Sequence, residues 1–126
     1  MTVLGIGGLF FRARDPEALA AWYREHLSVG AGCGVDPAED GDPWTWSAQG
    51  GPTVFAPLPA DSDHIPADRQ WMLNLRVADL EALIAKLRAA NVEVITRPEW
   101  DDPTTGCFAR VHDPEGNPVE LWQPPA

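Results

Sequence analysis

The stretch His112–Trp122, HDPEGNPVELW, predicts the end of one strand, a tight turn and a return strand. Its middle is dense in turn formers, because Pro presets φ, Gly allows positive φ, and Asp and Asn hydrogen-bond their own backbone. The return strand alternates, so Glu120 and Trp122 share one face and the two aliphatic residues share the other. A glutamate in mid-strand is either solvated or a placed functional group, and spacing alone favours the solvated interpretation.

Composition indicates one globular domain and excludes several classes of partner. The 126 residues are 44% hydrophobic and 22% charged, which is typical of a chain with a real core. Nine Lys and Arg against nineteen Asp and Glu give a net charge of −10, which argues against nucleic acid or an anionic membrane as partner. We recognise neither a membrane span nor a signal peptide and expect a cytoplasmic protein. Cys33 and Cys107 have no CxxC spacing and are expected to be reduced thiols.

The sequence contains an internal repeat with a shift of 64 residues (79 − 15 = 64). DPEALAAWYRE from Asp15 lies over DLEALIAKLRA from Asp79, and six of these eleven positions are identical. Both segments predict a helix capped by its Asp, and Arg12 aligns with Arg76 in the strands that precede them. The chain is therefore predicted to contain two βαβββ modules, each too small to bury its sheet alone.

The two modules are predicted at 1–57 and 70–126, joined by a mostly polar linker at 58–69, within one domain of residues 1–126. The helices are expected to end near Leu27–Ser28 and near Ala90, with Asn91 as a left-handed stop. The predicted strands or strand-like crossings are 4–13, 31–35, 44–48, 52–57, 70–77, 92–96, 106–112 and 119–122, with a hairpin at 49–51 and a loop at 99–105.

Strand parity divides the predicted sheets into a helix side and an opposite side. Trp71 shares the parity of the helix side and is expected in the core, and Leu9, Phe11 and Ala13 are expected on the helix side in the first module. The opposite side mixes apolar and polar groups, as a ligand-lining surface does; alternatively, its two Arg sit at a sheet end in solvent and its Trp serve packing or dimer contacts. The predicted lining residues are Phe10, Arg12, Trp44, Trp46, Phe55, Met72, Asn74, Arg76, Trp100 and Trp122.

The segments IGGLFFRARDPEALAAWYREHL, MLNLRVADLEALIAKLRAANVEV and FARVHDPEGNPVELWQP resemble the vicinal oxygen chelate superfamily of glyoxalase I, bleomycin-resistance proteins and extradiol dioxygenases. The resemblance covers essentially the whole chain, and the DPxGNxxEL ending is its most specific part. It implies an α+β fold in which paired βαβββ modules curl eight strands around a cup with the helices outside. It also implies a homodimer and, in many members, a divalent metal held in the cup by His and Glu.

Carried over residue by residue, the metal site that the resemblance implies is incomplete. Glu120 falls on the C-terminal Glu ligand, but Gly8 and Met72 stand at the positions of His ligands. The remaining position falls on Val54 or Phe55, and neither can ligate a metal. Catalytic sites need about three protein ligands, so no cofactor is expected, and a divalent metal would need an unusual ligand set.

The three histidines do not complete this site. His26 is predicted at a helix end and His64 in the linker, exposed to solvent. His112 is the only one near Glu120 in sequence, and an acid/base or orienting pair of the two is a minor hypothesis.

Three functions remain, and the favoured one is a metal-free cup that binds a small organic molecule, as sequestering resistance proteins do. The alternative is an enzyme of the superfamily, a lyase, isomerase or dioxygenase, with Glu120 as metal ligand or general base. The least favoured is an interaction protein with no small ligand. The comparison with the family turns Glu120 inward, and a carboxylate in an aromatic cup suits a cationic or hydrogen-bond-donating ligand.

Overall fold

The computed structural model describes residues 2–34 and 45–126. Within them the chain forms a mixed α/β fold with two α-helices, one short 3₁₀ helix and a three-stranded sheet. The elements in chain order are α1 (Pro16–Leu27), β1 (Leu73–Arg76), α2 (Leu80–Ala89), the 3₁₀ helix (Pro98–Trp100), β2 (Cys107–His112) and β3 (Pro118–Gln123).

Strand β3 lies at the centre of the sheet, in the order β1-β3-β2. It pairs in parallel with β1, and it pairs with β2 in the antiparallel manner that the turn at 113–117 dictates. The strand predicted at 92–96 is reduced to a single antiparallel bridge between Ile95 and Arg110 on the outer side of β2. The sheet is therefore built entirely from the predicted second module.

The two helices begin as their sequences predict. The Oδ1 atom of Asp15 accepts a hydrogen bond from the backbone N–H of Ala18, and Oδ1 of Asp79 accepts one from Ala82, both at 3.1 Å. Each carboxylate thus satisfies an N–H that the first helical turn leaves open. Asn91, just after the second helix, has a φ of 63°, which confirms the predicted left-handed stop.

The core lies between the helices and one face of the sheet. Burial alternates along β3, where Val119 and Leu121 are fully buried and Glu120 and Trp122 are only half-buried on the other face. This confirms the predicted parity. The buried apolar residues are Leu19, Tyr23, Leu75, Leu80, Leu87, Val94, Ala109, Val111, Val119 and Leu121.

The strands predicted in the first module are not formed within the described chain. Residues 2–11 and 48–58 are exposed; Leu4, for example, is 93% exposed. An extended segment forms a ladder only beside a neighbour, and residues 2–34 and 45–126 provide none for these segments. The predicted crossing of 31–35 with 44–48 survives as one parallel bridge between Gly34 and Ser47, while 35–44 lie outside the described residues.

The apolar residues predicted on the helix side near the two strand starts are not buried. The ring of Phe11 meets that of Tyr23 on α1 edge-on, at 6.4 Å between centroids, but Phe11 remains 46% exposed and Leu9 41% exposed. The prediction that Trp71 belongs to the core is wrong, since it is 58% exposed. Strand β1 begins only at Leu73, so the parity of the strand does not extend back to Trp71.

The turn between β2 and β3 holds the start of the first helix. The carboxylate of Glu115 accepts the backbone N–H groups of Arg14 at 2.6 Å and of Asp15 at 3.0 Å. These bonds favour the ionised form and hold the pKa of Glu115 below its usual value. The turn itself needs Gly116, whose φ of 83° would strain any other L residue.

A buried hydrogen bond completes this attachment. The Tyr23 hydroxyl donates to Oδ2 of the buried Asp113 at 2.7 Å. Asp113 also accepts from the backbone N–H groups of Glu115 and Asn117 and from the Asn117 amide, so its charge is well compensated. Burial, followed by the hydrogen bond and charge of Asp113, raises the pKa of the Tyr23 phenol well above its usual value.

Candidate functional site

The face of the sheet that turns away from the core, called here the open face, carries two rows of side chains. The strand register puts Glu120 between Asn74 and Arg110, and Trp122 between Arg76 and Phe108. Both rows therefore follow from the alternation along β1, β2 and β3.

Glu120 is held by two partners on this face. Its Oε1 accepts a hydrogen bond from the Asn74 amide at 2.7 Å, and its Oε2 lies 3.1 Å from Nε2 of His64. The Glu120 side chain is only 12% exposed, whereas that of His64 is 45% exposed. Glu120 is thus an oriented and partly desolvated carboxylate, and the solvated interpretation is wrong.

The histidine that contacts Glu120 is not the one nearest in sequence. His112 pairs with Pro118 in the strand register and, among the described residues, forms no hydrogen bond or ion pair with Glu120. His64 comes from residues 58–69, which contain turns but no helix or strand and which bring it onto the open face. No periodicity marks such a residue, so sequence patterns do not indicate this contact.

A cavity of about 370 Å³ lies beside this pair. Trp100 lines it, as its loop position predicts, and two guanidinium groups lie over the indole ring. The centre of the Arg110 guanidinium is 5.3 Å from the ring centroid and that of Arg97 is 5.7 Å away, both within cation–π range. The full lining is Asp63, His64, Ile95, Arg97, Trp100, Arg110 and His112.

Arg110 joins the cavity to the segment that carries His64. Its Nη2 donates to the backbone carbonyl of His64 at 2.9 Å, while its buried Nε has no hydrogen-bond partner among the described residues. Sequence reasoning singled out neither Arg97 nor Arg110. The alternation along β2 could have placed Arg110 on the face of Glu120, because both flank the same turn.

The second row of side chains on the open face, that of Trp122, forms an aromatic surface beside Glu120. The rings of Trp122 and Phe108 stack with centroids 6.3 Å apart and planes within 6°. The indole N–H of Trp122 donates to the carbonyl of Thr105 at 2.7 Å, which fixes the ring. Arg76 donates to the carbonyls of Pro52 and Gln49 and so ties the 49–52 segment to the end of β1.

The other predicted lining residues lie away from Glu120 and the cavity, or fall outside the residues that the structure describes. Phe10, Arg12 and Phe55 are exposed, as is Trp46, and no described contact joins them to Glu120. Met72 is half-buried immediately before β1. Trp44 lies outside the described residues. Of the predicted set, the structure thus brings Asn74, Arg76, Trp100 and Trp122 to the open face or the cavity beside it.

The donor groups around Glu120 do not fit a divalent metal site. Its immediate partners are one imidazole and one amide, and the family's other ligand positions hold Gly8, Met72 and Val54 or Phe55. A metal ion needs a cluster of at least three His, Cys, Asp or Glu side chains, and residues 2–34 and 45–126 contain no such cluster.

The two helices and the three-stranded sheet form a mixed α/β fold that is consistent with the implied superfamily; the eight strands of paired modules are not formed among the described residues. The sequence model of a protein family, the Glyoxalase/Bleomycin resistance protein/Dioxygenase superfamily, matches residues 5–121 of the chain. The chain therefore belongs to this superfamily. The resemblance seen in the sequence is thereby confirmed. No helix in the described ranges has the length and apolar character needed to cross a membrane.

Two solved structures from Streptomyces sp. CB03234 are similar to this chain. TnmS3, an antibiotic binding protein, has a TM-score of 0.56 and 22% identity, with 98% of each chain covered. A glyoxalase/bleomycin resistance protein has a TM-score of 0.45 and 24% identity, with 86% of this chain and 91% of that chain covered. The likeness to TnmS3 shows a shared fold. No curated protein matches the sequence.

Proposed function

We propose that the protein binds a small organic molecule on the open face of the sheet, beside Glu120 and without a metal ion. The observation that carries this proposal is a partly buried carboxylate, fixed by Asn74 and His64, next to a cavity of about 370 Å³. This volume falls in the range of small-molecule sites. TnmS3, which has the same fold, is an antibiotic binding protein, and its role agrees with sequestration rather than catalysis.

The aromatic groups around Glu120 support an organic ligand over a small ion. Trp100 borders the cavity, and the Trp122–Phe108 stack lies one row along the same face. Flat apolar surfaces beside a few oriented polar groups are what a drug-sized ligand needs. The incomplete donor set supports binding without a metal, and the sequence-based expectation of a cytoplasmic protein is part of the proposal.

We also propose that the protein is a homodimer in which a second copy completes the eight-stranded cup of paired modules. The support is a set of large apolar side chains that one described chain leaves in solvent, more than a monomer usually exposes. They are Val3, Leu4, Ile6, Leu9, Phe10, Phe11, Trp46, Val54, Phe55, Leu58 and Trp71. Light scattering after size exclusion should give twice the chain mass, and Phe10→Glu should lower it; a wild-type monomer at high concentration contradicts this proposal.

The proposed binding is tested by screening small organic compounds for changes in Trp fluorescence and melting temperature. A hit should bind about tenfold more weakly to Glu120→Gln, because a hydrogen bond to a charged group is lost. Glu93→Gln, an exposed carboxylate, is the matched control and should bind as wild type. A broad screen without hits overturns the binding proposal. Stoichiometric Zn, Ni, Mn or Fe in protein purified without chelator overturns the metal-free part.

One observation favours a second function, an isomerase or lyase that uses Glu120 as general base. The 3.1 Å contact with His64 gives the carboxylate a neighbour that can pass a proton onward. In the isomerase case, Glu120 would remove the proton α to the carbonyl while the carbonyl oxygen takes up a proton, which gives an enediol. Glu120 would then return its proton to the former carbonyl carbon while the neighbouring hydroxyl loses its proton to become the new carbonyl. Exchange of that proton with D₂O in an α-hydroxycarbonyl compound should then require Glu120, and the same exchange rate in Glu120→Gln would exclude this role.

A further inference from the structure

We infer that the cavity beside Glu120 binds the anionic group of its ligand, a carboxylate or a phosphate. This inference rests on the proposed function, because it names the charge class of the molecule that the same site takes. It differs from the sequence-based expectation of a cationic or hydrogen-bond-donating ligand, which rested on a carboxylate in an aromatic cup. Two features support it, namely the charges of the cavity wall and the N–H groups there that the described chain leaves without an acceptor.

The cavity wall has the opposite charge balance from the rest of the protein. Arg97 and Arg110 line it with two imidazoles, those of His64 and His112, against the single carboxylate of Asp63. The chain as a whole has a net charge of −10. An acidic surface repels anions in general, so a basic cavity within it is a local arrangement rather than a consequence of composition.

Arg110 offers donors that the described chain does not use. One N–H of its Nη2 group is engaged by the carbonyl of His64, whereas the buried Nε–H has no partner. Because the Nε–H is shielded from solvent, an anion in the cavity would meet the other N–H groups of this guanidinium, of which the described chain uses only the Nη2 bond to His64. A guanidinium suits either group because its parallel N–H bonds match two oxygens of one anion.

Arg97 adds a second guanidinium to the same wall. It lies over the Trp100 ring, as Arg110 does, and stacking on an indole orients a guanidinium while its N–H edge remains open to a ligand. Among residues 2–34 and 45–126, neither Arg97 nor Arg110 forms an ion pair with a carboxylate. Both charges are therefore available to an incoming anion.

The negative charge of Glu120 is compatible with an anion bound in the cavity. The Asn74 amide donates to its Oε1, and Nε2 of His64 lies 3.1 Å from its Oε2, so both oxygens already have a partner. Each oxygen can still accept one hydrogen bond from another part of the ligand. The anionic group itself would contact the part of the cavity wall that Arg97 and Arg110 form.

The test uses titration calorimetry of the full chain with four probes at fixed pH and ionic strength. Benzoate and inorganic phosphate are the anions, benzamide is the neutral match of benzoate, and benzamidine is its cationic match. Benzoate or phosphate should bind about tenfold more tightly than benzamide, and benzamidine should bind most weakly. Preference for benzoate assigns an organic carboxylate, and preference for phosphate assigns a phosphorylated ligand.

Variants then locate the anion. Arg97→Gln and Arg110→Gln should each weaken anion binding about tenfold, the loss expected for one charged hydrogen bond, while circular dichroism confirms that each variant is folded. Lys86→Gln removes an equal charge from an exposed position on α2 and should change nothing. Anion binding that survives both Arg substitutions, or equal affinity for benzoate and benzamide, overturns the inference.

Failure of this inference and failure of the proposed function give different results. If neutral or cationic compounds bind and their affinity depends on Glu120 while the anions do not bind, the inference is wrong and the proposed function stands. If no compound of any charge binds, both fail.

Discussion

The two halves of the chain carry nearly the same helix sequence but differ in what lies beneath it. The caps Asp15 and Asp79 make identical 3.1 Å bonds, and both helices form. In the second half α2 covers paired strands and buries Leu87 completely. The first-half segment that was predicted to form a strand under α1 is exposed and pairs with no strand in the described part of the chain. Helix formation depends on local hydrogen bonds and capping, but a strand needs a neighbour that one half-chain does not supply.

The first helix is instead held by the other half of the molecule. Asp113 and Glu115, in the turn before β3, bind Tyr23 and the backbone at the start of α1. The turn that positions Glu120 on the open face thus also anchors the first module. We therefore expect the halves to differ in stability, because most of the buried core belongs to the second half and the first depends on contacts from outside its own sequence.

The largest effect is expected from Leu121→Ala in the fully buried centre of β3. It should lower the free energy of unfolding by about 3 kcal/mol, because apolar transfer is lost and a cavity remains. Leu4→Ala makes the same chemical change at a 93% exposed position and should cost less than about 0.5 kcal/mol. Urea denaturation at low protein concentration measures both.

Repeating the Leu4→Ala measurement at high protein concentration sharpens the contrast between the halves. If a second copy covers the first half, the cost of Leu4→Ala should rise with concentration. A large cost of Leu4→Ala at every concentration would contradict the exposed position of Leu4 in the single chain.

The sequence predicted the second half well because its signals are local. Helix caps, the left-handed Asn91, the turn at 113–117 and the alternation along β3 each involve residues close in the chain. The first-half strands were predicted from the same kind of pattern, but a pattern indicates only which residues prefer a strand. Whether a neighbour is present depends on tertiary contacts or on another chain.

Apart from Trp100, the candidate site was predictable only where a strand carries it. The parity of β1 and β3 placed Asn74, Glu120 and Trp122 on one face. The contact of His64 with Glu120 joins residues 56 positions apart (120 − 64 = 56), and it depends on the path of an irregular segment. Such a path has no period, so the basic cavity next to Glu120 was not foreseen.

The next largest effect is expected where the two halves join. Tyr23→Phe removes the hydroxyl that donates to the buried Asp113 and should cost about 2 kcal/mol at neutral pH. It should also remove a pH effect. Because the folded pKa of Tyr23 is raised, the wild type should lose stability as the pH rises above the ordinary value of 10.0, where only the unfolded phenol ionises.

Chemical denaturation between pH 8 and pH 11 compares the two proteins. The variant should show a shallower decline than the wild type at the alkaline end. Parallel declines would mean that Tyr23 ionises as readily in the folded protein as in the unfolded one, and that the joint is open to water.

Removing the two helix caps should have smaller and unequal effects. Asp79→Ala should cost about 1 kcal/mol, the usual loss for an N-cap. Asp15→Ala should cost less in the same denaturation experiment, because Glu115 still holds two N–H groups at the start of α1. If Asp15→Ala lowers the free energy of unfolding as much as Asp79→Ala or more, Glu115 does not help to stabilise the start of α1.

The smallest effect is expected from Glu115→Gln and should appear mainly as a change in pH dependence. The folded pKa of Glu115 is depressed below its ordinary value of 4.5, so the ionised carboxylate stabilises the fold above that pH. This contribution is lost as the pH falls through the lower folded value. The variant lacks it throughout and should therefore be less stable than the wild type at pH 7 but nearly equal to it in acid.

Thermal melts from pH 7 to pH 3, with Glu93→Gln as an exposed control, isolate this difference from the titration of the other carboxylates. The control should follow the wild type at every pH. If the gap between Glu115→Gln and wild type stays constant as the pH falls, the backbone bonds of Glu115 do not depend on its charge. If it closes, the first helix is held in place by an ionised carboxylate from the second half of the chain.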